Sequence, residues 1–149
     1  MKGIEFLMIE NARADQIDEI AEIWLTSNIY GQNFIPAEYW NKHFEPVKEM
    51  LPAAEIYIYS ENSEISGFIG ITDEKYIAGL FVLPDRQSHG IGRQLIEYCQ
   101  NRYDSLELNV YEKNAKAIEF YKKNGFEIVS KSIDKDTQES EYRMEWIRK

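Results

Sequence analysis

Residues 80–93 read Leu-Phe-Val-Leu-Pro-Asp-Arg-Gln-Ser-His-Gly-Ile-Gly-Arg, an apolar run that a proline ends and a turn with two glycines follows. The run completes a strand from Tyr76 to Leu83 and is typical of a central, buried strand. Apolar residues at helical spacing behind the turn predict a helix from about Gly90 to Arg102, followed by a strand from Leu106 to Tyr111. Two strands joined by a helix are expected to lie parallel in one sheet.

The segments on either side of this unit predict further strands and helices. Strands joined by short loops are expected to be antiparallel neighbours, and a proline inside a helix is expected to break or kink it. We therefore predict an α/β fold with a mixed sheet, helices on both faces and a single domain over residues 1–149. The remaining predicted elements are a strand over 4–10, a helix from an N-cap at Asp15 to about Asn28–Gly31, a helix over 36–50 that contains Pro46, strands over 55–60 and 65–72, a helix over 114–124 and strands over 126–133 and 141–147.

Composition excludes several classes of protein. The net charge of −9 argues against nucleic-acid binding, which needs a basic surface. No apolar run approaches the ~20 residues of a membrane helix, and the first ten residues lack a signal-peptide layout, so we expect a cytoplasmic protein without a membrane partner. The single cysteine, Cys99, cannot form an internal disulfide, and His43 and His89 are too isolated to suggest a metal site.

The charge is distributed unevenly along the chain. Residues 1–79 hold 14 acidic and 5 basic side chains, whereas residues 80–149 hold 12 of each. An acidic half suits a cationic partner and a neutral half tolerates an anionic one, although acidic surfaces also serve solubility alone.

The turn before the third helix carries the pattern Gln87-x-x-Gly90-x-Gly92. Free backbone amides and the helix dipole favour an anion at a helix start, and glycine leaves room for a phosphate. A P-loop would need Lys-Ser/Thr after its last glycine, but Arg93-Gln94 follows Gly92. The dinucleotide fingerprint would need a third glycine where Leu95 stands. The pattern therefore predicts an anion-binding turn of another type.

This pattern resembles the pyrophosphate loop, Q/R-x-x-G-x-G/A, of the GNAT superfamily of acetyl-CoA-dependent N-acetyltransferases. Residues 109–126 also resemble the family's strand-to-helix signature, N-x-x-A-x-x-F-Y-x-x-x-G-F. The resemblance covers the order of elements along nearly the whole chain. Residues 24–27 and 34–40 are similar to a subgroup of small bacterial single-domain members, some of which modify protein lysines.

The resemblance implies a mostly antiparallel sheet of about seven strands, whose central parallel pair splays apart to hold the cofactor. The pantetheine arm of acetyl-CoA would pair with the open edge of the strand over 76–83, and the glycine turn would hold the pyrophosphate. The residues implied in cofactor binding are Leu80, Phe81, Val82, Gln87, Ser88, His89, Gly90, Ile91, Gly92, Arg93, Asn109, Asn114 and Tyr121.

The implied reaction is direct attack of an amine on the acetyl thioester, with Tyr121 as the catalytic donor of a proton to the leaving thiolate. Tyr121 could instead be a core residue, Asn114 only a helix N-cap, and Asn109 a partner for a buried backbone group. The general base is not identified, because residues 77–80, where many family members carry a carboxylate, have none. The substitutes are Asp73, Glu74, Tyr111, Glu112 or a chain of water molecules.

The acceptor is expected over the first half of the chain, where aromatic side chains and surplus carboxylates suit an ammonium group. Some of these aromatic residues could instead only attach the helices to the sheet. The candidate acceptor-binding residues are Asn28, Tyr30, Phe34, Tyr39 and Trp40.

The sequence thus favours an acetyl-CoA-dependent N-acetyltransferase acting on a small-molecule amine or a protein lysine. The alternatives are a non-catalytic acyl-CoA-binding module and a nucleotide-binding regulator that uses the same turn. A homodimer is common in the family and is a further expectation.

Overall fold

The computed structural model describes residues 8–87 and 89–149. Residues 4–7 of the predicted first strand and the predicted cofactor residue Ser88 lie outside the described residues. The described strands are β1 (Ile9–Asn11), β2 (Glu55–Glu61), β3 (Glu64–Thr72), β4 (Tyr76–Val82), β5 (Ser105–Tyr111), β6 (Glu127–Ile133) and β7 (Ser140–Ile147). The described α-helices are α1 (Ile17–Gly31), α2 (Ala37–Met50), α3 (Ile91–Gln100) and α4 (Ala115–Lys123).

The strands form one sheet in the order β1-β2-β3-β4-β5-β7-β6. Neighbouring strands are antiparallel except β4 and β5, which are parallel, as their connection through α3 predicts. Within the described ranges, β4 and β5 pair at a single position, Tyr76 with Glu107, where the Glu107 N–H donates to the Lys75 carbonyl at 3.0 Å. Beyond that position the two strands separate. The predicted mixed, mostly antiparallel sheet with a splayed central pair is confirmed.

Both faces of the sheet bury side chains in a core, and the alternating side chains of β2 show how. Ile56 and Ile58 pack under α1, whereas Tyr57 and Tyr59 belong to the core on the opposite face, beneath α3 and α4. Because successive side chains of a strand point to opposite faces, one strand supplies both cores.

Two helix predictions differ from the structure. Asp15 is not the N-cap of α1: it lies in a short 3₁₀ turn, where its carboxylate accepts a hydrogen bond from Arg13 Nε at 3.1 Å, and the helix begins at Ile17. Pro46 does not break α2, which continues to Met50. The carbonyl of Lys42 loses its helical donor, but Pro46 and Lys42 are both exposed, so the helix can continue on its solvent side.

The expectation of a fully buried β4 is wrong. Residues 79–82 are half-buried, although their strand is central in the sheet. The separation of β4 from β5 explains this exposure, because it opens a gap beside one edge of β4.

The chain leaves α4 through a Schellman motif that fixes the end of the helix carrying Tyr121. Gly125 has φ +92°, its N–H donates to the Lys122 carbonyl at 3.1 Å, and the Phe126 N–H donates to the Tyr121 carbonyl at 3.0 Å. A Cβ at Gly125 would lie 3.1 Å from Cδ1 of Trp146.

Gly125→Ala is therefore expected to lower the free energy of unfolding by about 1–2 kcal/mol, the cost of a left-handed conformation for a residue with a Cβ. Gly31→Ala is the matched control, since nothing lies within 4 Å of a Cβ there and its φ is not positive. The control should keep or slightly raise stability. Urea unfolding of both variants tests this, and equal effects would contradict the role given to Gly125.

Candidate active site

The gap between β4 and β5 presents backbone groups of β4. The Leu83 N–H donates across to the Ser66 carbonyl of β3 at 2.9 Å. Because backbone groups alternate sides along a strand, those of Leu80 and Val82 point away from β3 and into the gap. The Val82 carbonyl accepts hydrogen bonds there from Gln87 Nε2 at 3.1 Å and Ser27 Oγ at 3.4 Å.

The glycine turn leads from β4 into α3. Gly90 is the N-cap of α3 in a left-handed conformation with φ +79°. Gly92 lies in the first turn of the helix, where a Cβ would be 3.3 Å from the Phe120 ring on α4. The two glycines therefore have different roles: Gly90 allows the turn, and Gly92 allows α3 and α4 to approach each other.

A cavity of about 800 Å³ lies over the gap and this turn. The ionisable side chains that line it are Arg86, Arg93, Lys116 and two tyrosines, with no carboxylate among the described lining residues. Arg86 pairs with Glu61 at 3.0 Å and Arg93 with Glu97 at 2.9 Å, whereas Lys116 Nζ donates to Gln87 Oε1 at 3.4 Å. The cavity has a basic wall, because its described charged lining groups are all basic and Lys116 is not paired with a carboxylate.

Most of the predicted cofactor residues line this larger cavity. Asn109 lies on a second, smaller cavity instead, and His89 is exposed and lines neither of the two. The predicted residues on the larger cavity are Leu80, Phe81, Val82, Gln87, Gly90, Ile91, Gly92, Arg93, Asn114 and Tyr121.

The smaller cavity, of about 420 Å³, has the opposite charge. Its ionisable lining groups are Asp134, Glu141 and tyrosines. Tyr111 donates from its hydroxyl to Asp134 Oδ2 at 2.7 Å, and burial, then this hydrogen bond, raise the pKa of Tyr111. Asn109 Nδ2 donates to Glu141 Oε1 at 3.4 Å, and burial, then the nearby Asp134, raise the pKa of Glu141.

The two cavities meet at Tyr121. Its ring is nine-tenths buried, and its hydroxyl has no hydrogen-bond partner within the part of the chain that the structure describes. Burial, with a smaller contribution from Tyr76, raises the pKa of Tyr121, so the hydroxyl keeps its proton at neutral pH. The residues shared by both cavities are Asn28, Gln32, Leu80, Phe81, Asn114, Ala117 and Tyr121.

Asn114 connects the helices on either side of this junction. Its side-chain oxygen accepts the Ala117 N–H at 3.2 Å, which makes it the N-cap of α4. Its Nδ2 donates to Oε1 of Gln32, the C-cap residue of α1, at 3.3 Å. The N-cap that the sequence offered as one interpretation is therefore present, in a residue that also lines both cavities.

The five predicted acceptor residues lie in different places. Asn28 lines both cavities, Trp40 the smaller and Tyr30 the larger. Phe34 packs edge-on against Tyr111, with ring centroids 5.7 Å apart. Burial, then Asp134, Asp136 and Glu141, raise the pKa of Tyr39, which places Tyr39 near the acidic wall.

The sequence did not single out the carboxylates of the smaller cavity. Of the substitutes for a base, Asp73 and Glu74 line neither cavity, and Glu112 is held by Tyr142 at 2.8 Å and Lys131 at 3.0 Å. Tyr111 does line the smaller cavity. Asp134 and Glu141 come from the neutral half of the chain, and only the pairing of Glu141 with Tyr111 across β5 and β7 brings them here.

Other kinds of site find no support among the described residues. They contain no group of three His, Cys, Asp or Glu side chains that could hold a metal ion, and none of their helices is long and apolar enough to cross a bilayer. Cys99 is buried, which raises the pKa of its thiol to about 12 and removes it as a nucleophile.

Known proteins resemble this chain over nearly its whole length. It is 36% identical over 140 residues to the peptidyl-lysine N-acetyltransferase YiaC of Escherichia coli K12, covering 93% of this chain and 96% of YiaC. It is 31% identical over 127 residues to the peptidyl-lysine N-acetyltransferase YjaB of the same organism, covering 85% and 86% of the two chains.

Solved structures show the same fold. The solution structure of apo YjaB from E. coli superposes with a TM-score of 0.82 at 27% identity, covering 95% of this chain and 97% of that one. The PaiA N-acetyltransferase from Thermoplasma acidophilum, solved with coenzyme A, gives a TM-score of 0.75 at 20% identity over 93% and 98% of the two chains.

The acetyltransferase (GNAT) domain family itself matches residues 19–145. The chain therefore belongs to the GNAT acetyltransferase family, which confirms the family, the fold and the class of enzyme that its two motifs predict.

Proposed function

We propose that this protein transfers the acetyl group of acetyl-CoA to the side-chain amine of a protein lysine, through a single domain that spans residues 1–149. The observation that carries the proposal is the meeting of a basic cavity and an acidic cavity at Tyr121. Opposite charges suit an anionic donor on one side and a cationic acceptor on the other. YiaC and YjaB, both named peptidyl-lysine N-acetyltransferases, support a lysine over a small-molecule amine.

The larger cavity fits acetyl-CoA in three respects. Backbone groups of Leu80 and Val82 face the gap, where an extended pantetheine arm would add to the strand. The amides at the start of α3, behind Gly90, suit the pyrophosphate, and Lys116 adds positive charge. When bound, acetyl-CoA supplies an acetyl group activated as a thioester. Roles for His89 and Ser88 stay predictions.

The smaller cavity fits the acceptor. Asp134 and Glu141 attract an ammonium group, and the faces of Trp24, Trp40 and Tyr76 suit its alkyl stem and its charge. Asn28 stands where the two cavities join. A lysine entering here would present its nitrogen toward Tyr121 and the gap.

Tyr121 is proposed as the proton donor. Its raised pKa keeps the hydroxyl protonated, and the hydroxyl is not committed to another described residue. It would give its proton to the departing sulfur, which would otherwise leave as an unprotonated thiolate.

Tyr121→Phe is expected to lower kcat by ~100-fold or more, the size of a general-acid contribution. The affinity for acetyl-CoA should stay within about twofold, because only a hydroxyl is removed. Steady-state turnover of a lysine peptide and calorimetric titration with acetyl-CoA measure the two quantities. Tyr103→Phe is the control, since it also removes a half-buried hydroxyl, one that lies 3.3 Å from the Tyr57 hydroxyl and outside both cavities. Equal kcat values for the two variants would exclude Tyr121 from the reaction.

Gly90→Ala is expected to weaken acetyl-CoA binding about tenfold or more. Relaxing the left-handed conformation, which costs a residue with a Cβ ~1–2 kcal/mol, would turn the amides of α3 away from the phosphates. Gly70→Ala is the control, because the nearest atom to a Cβ there is 4.0 Å away and Gly70 lines neither cavity.

Calorimetry with acetyl-CoA, coenzyme A and ATP tests this assignment of the turn. Unchanged affinity in Gly90→Ala would contradict it, and tighter binding of ATP than of coenzyme A would favour a nucleotide-binding regulator. Binding of acetyl-CoA without turnover of any amine would favour a non-catalytic acyl-CoA-binding module. The cytoplasmic location and the homodimer stay predictions.

A further inference from the structure

The acceptor amine needs a base that neither motif supplies. A lysine ammonium group with a pKa of ~10.4 is almost fully protonated at neutral pH, and a protonated nitrogen has no lone pair with which to attack. Residues 77–80 of β4 line the smaller cavity without a carboxylate. Two carboxylates lie elsewhere on its wall, those of Asp134 and Glu141.

The two carboxylates differ in how their oxygens are used. Asp134 accepts the Tyr111 hydroxyl at Oδ2, at 2.7 Å, and the Asp136 N–H at Oδ1, at 3.0 Å. Glu141 has one long hydrogen bond, 3.4 Å from Asn109 Nδ2 to Oε1, and no hydrogen bond from another described residue to Oε2. Glu141 therefore keeps an oxygen for a proton, whereas Asp134 is held as a fixed negative charge beside it.

Glu141 also lines the same cavity as Tyr121. The Asn109 side chain contacts Glu141, and the Asn109 backbone N–H acts to lower the pKa of Tyr76. Burial, and then the charge of Glu141, outweigh this effect and raise the pKa of Tyr76, and Tyr76 in turn adds to the burial that raises the pKa of Tyr121. These three ionisable groups line one cavity.

A further polar group without a partner belongs to a residue that lines this cavity. Trp40 is 7% exposed, lines the same cavity and has an indole N–H without a hydrogen-bond partner among the described residues. A buried donor without a partner is costly, and a bound acceptor oxygen would relieve that cost.

We propose that Glu141 is the base of this enzyme: its carboxylate takes the proton of the bound ammonium group. The inference rests on the proposed function and names a catalytic residue for it. The freed nitrogen lone pair forms the C–N bond to the acetyl carbon while the C–S bond breaks. The sulfur keeps that electron pair and takes the proton of Tyr121. Solvent then takes the second proton of the nitrogen and the proton on Glu141. It also supplies the proton that restores the Tyr121 hydroxyl.

The surroundings of Glu141 set the sign of the pH dependence. The groups around it are Asp134 from the β6–β7 turn, Asn109 and Tyr111 from β5, Tyr76 from β4 and Tyr39 from α2, with Glu107 and Arg143 farther along the same face of β5 and β7. Arg143 is the cation of this set, and it pairs with Glu107. Burial and the negative neighbour Asp134 raise the pKa of Glu141, so a base at this position loses activity as the pH falls through a value above the usual one for glutamate.

Glu141→Gln tests the inference, with Glu145→Gln as the matched control on the same face of β7 and outside both cavities. The expected result for Glu141→Gln is a kcat lowered by ~100-fold, an acetyl-CoA affinity within about twofold and loss of the acidic limb of the kcat profile. The control should keep all three values. In Glu141→Ala, added azide or formate should restore part of kcat.

Three results would overturn the inference. A higher KM with unchanged kcat would make Glu141 an electrostatic contact for the acceptor only. An acidic limb that persists in Glu141→Gln would assign the proton to another group. Unchanged kinetics would exclude Glu141 altogether. Wild-type turnover of a lysine peptide is measured first, so that its absence counts against the proposed function, whereas its presence with an unaffected Glu141→Gln variant counts against Glu141 alone.

A readout without turnover complements the kinetics. The carboxyl carbon of Glu141 in ¹³C-labelled protein, assigned by its loss in Glu141→Gln, should titrate above the usual range of glutamate. Titration at the ordinary value would contradict the surroundings described for it.

Discussion

The divergence of β4 from β5 is the constraint on which the rest of the site depends. A parallel sheet normally continues its hydrogen bonds along both strands, but here pairing within the described ranges stops at Tyr76 and Glu107. The backbone groups that β5 does not satisfy then need other partners. Gln87 and Ser27 hold the Val82 carbonyl, so the strand tolerates an open edge without its usual neighbour.

The elements around the gap are arranged so that it does not close. α3 begins directly behind β4, and α4 approaches it closely at Gly92 and Phe120. On the opposite side, Gln32 at the end of α1 is joined to Asn114 at the start of α4. The helices thus fix the edges of the opening, while the Schellman motif at Gly125 fixes the end of the helix that carries Tyr121.

Most of the donor side of the site could be predicted from the sequence because its residues are contiguous. The apolar strand, the glycine turn and the start of α3 follow one another within residues 80–93, so one pattern reports all of them. The half-exposure of β4 could not be predicted, because an apolar run is the same for a buried strand and for one beside a gap. The continuity of α2 through Pro46 could not be predicted either, because it depends on which side of the helix faces solvent.

The acceptor side could be predicted only in part because its residues are far apart in the chain. Asn28 and Trp40 come from α1 and α2, Tyr76 from β4, and Asp134 and Glu141 from around the turn between β6 and β7. Glu141 is one of 26 acidic residues and has no local pattern. Its position follows from its register with Tyr111, which depends on how β7 inserts between β5 and β6.

Local charge, and not the net charge of −9, sets the electrostatic character of each cavity. Charges beyond about 8–10 Å are largely screened at physiological salt, so the lining residues dominate. Residues 80–149 have no net charge, but their charged side chains are separated in space. Lys116 and Arg93 line the larger cavity, whereas Asp134 and Glu141 line the smaller one. A charged group at the junction would be attracted by one wall and repelled by the other. The hydroxyl of Tyr121, which its raised pKa keeps neutral, is compatible with both walls, as the proposed role of a proton donor requires.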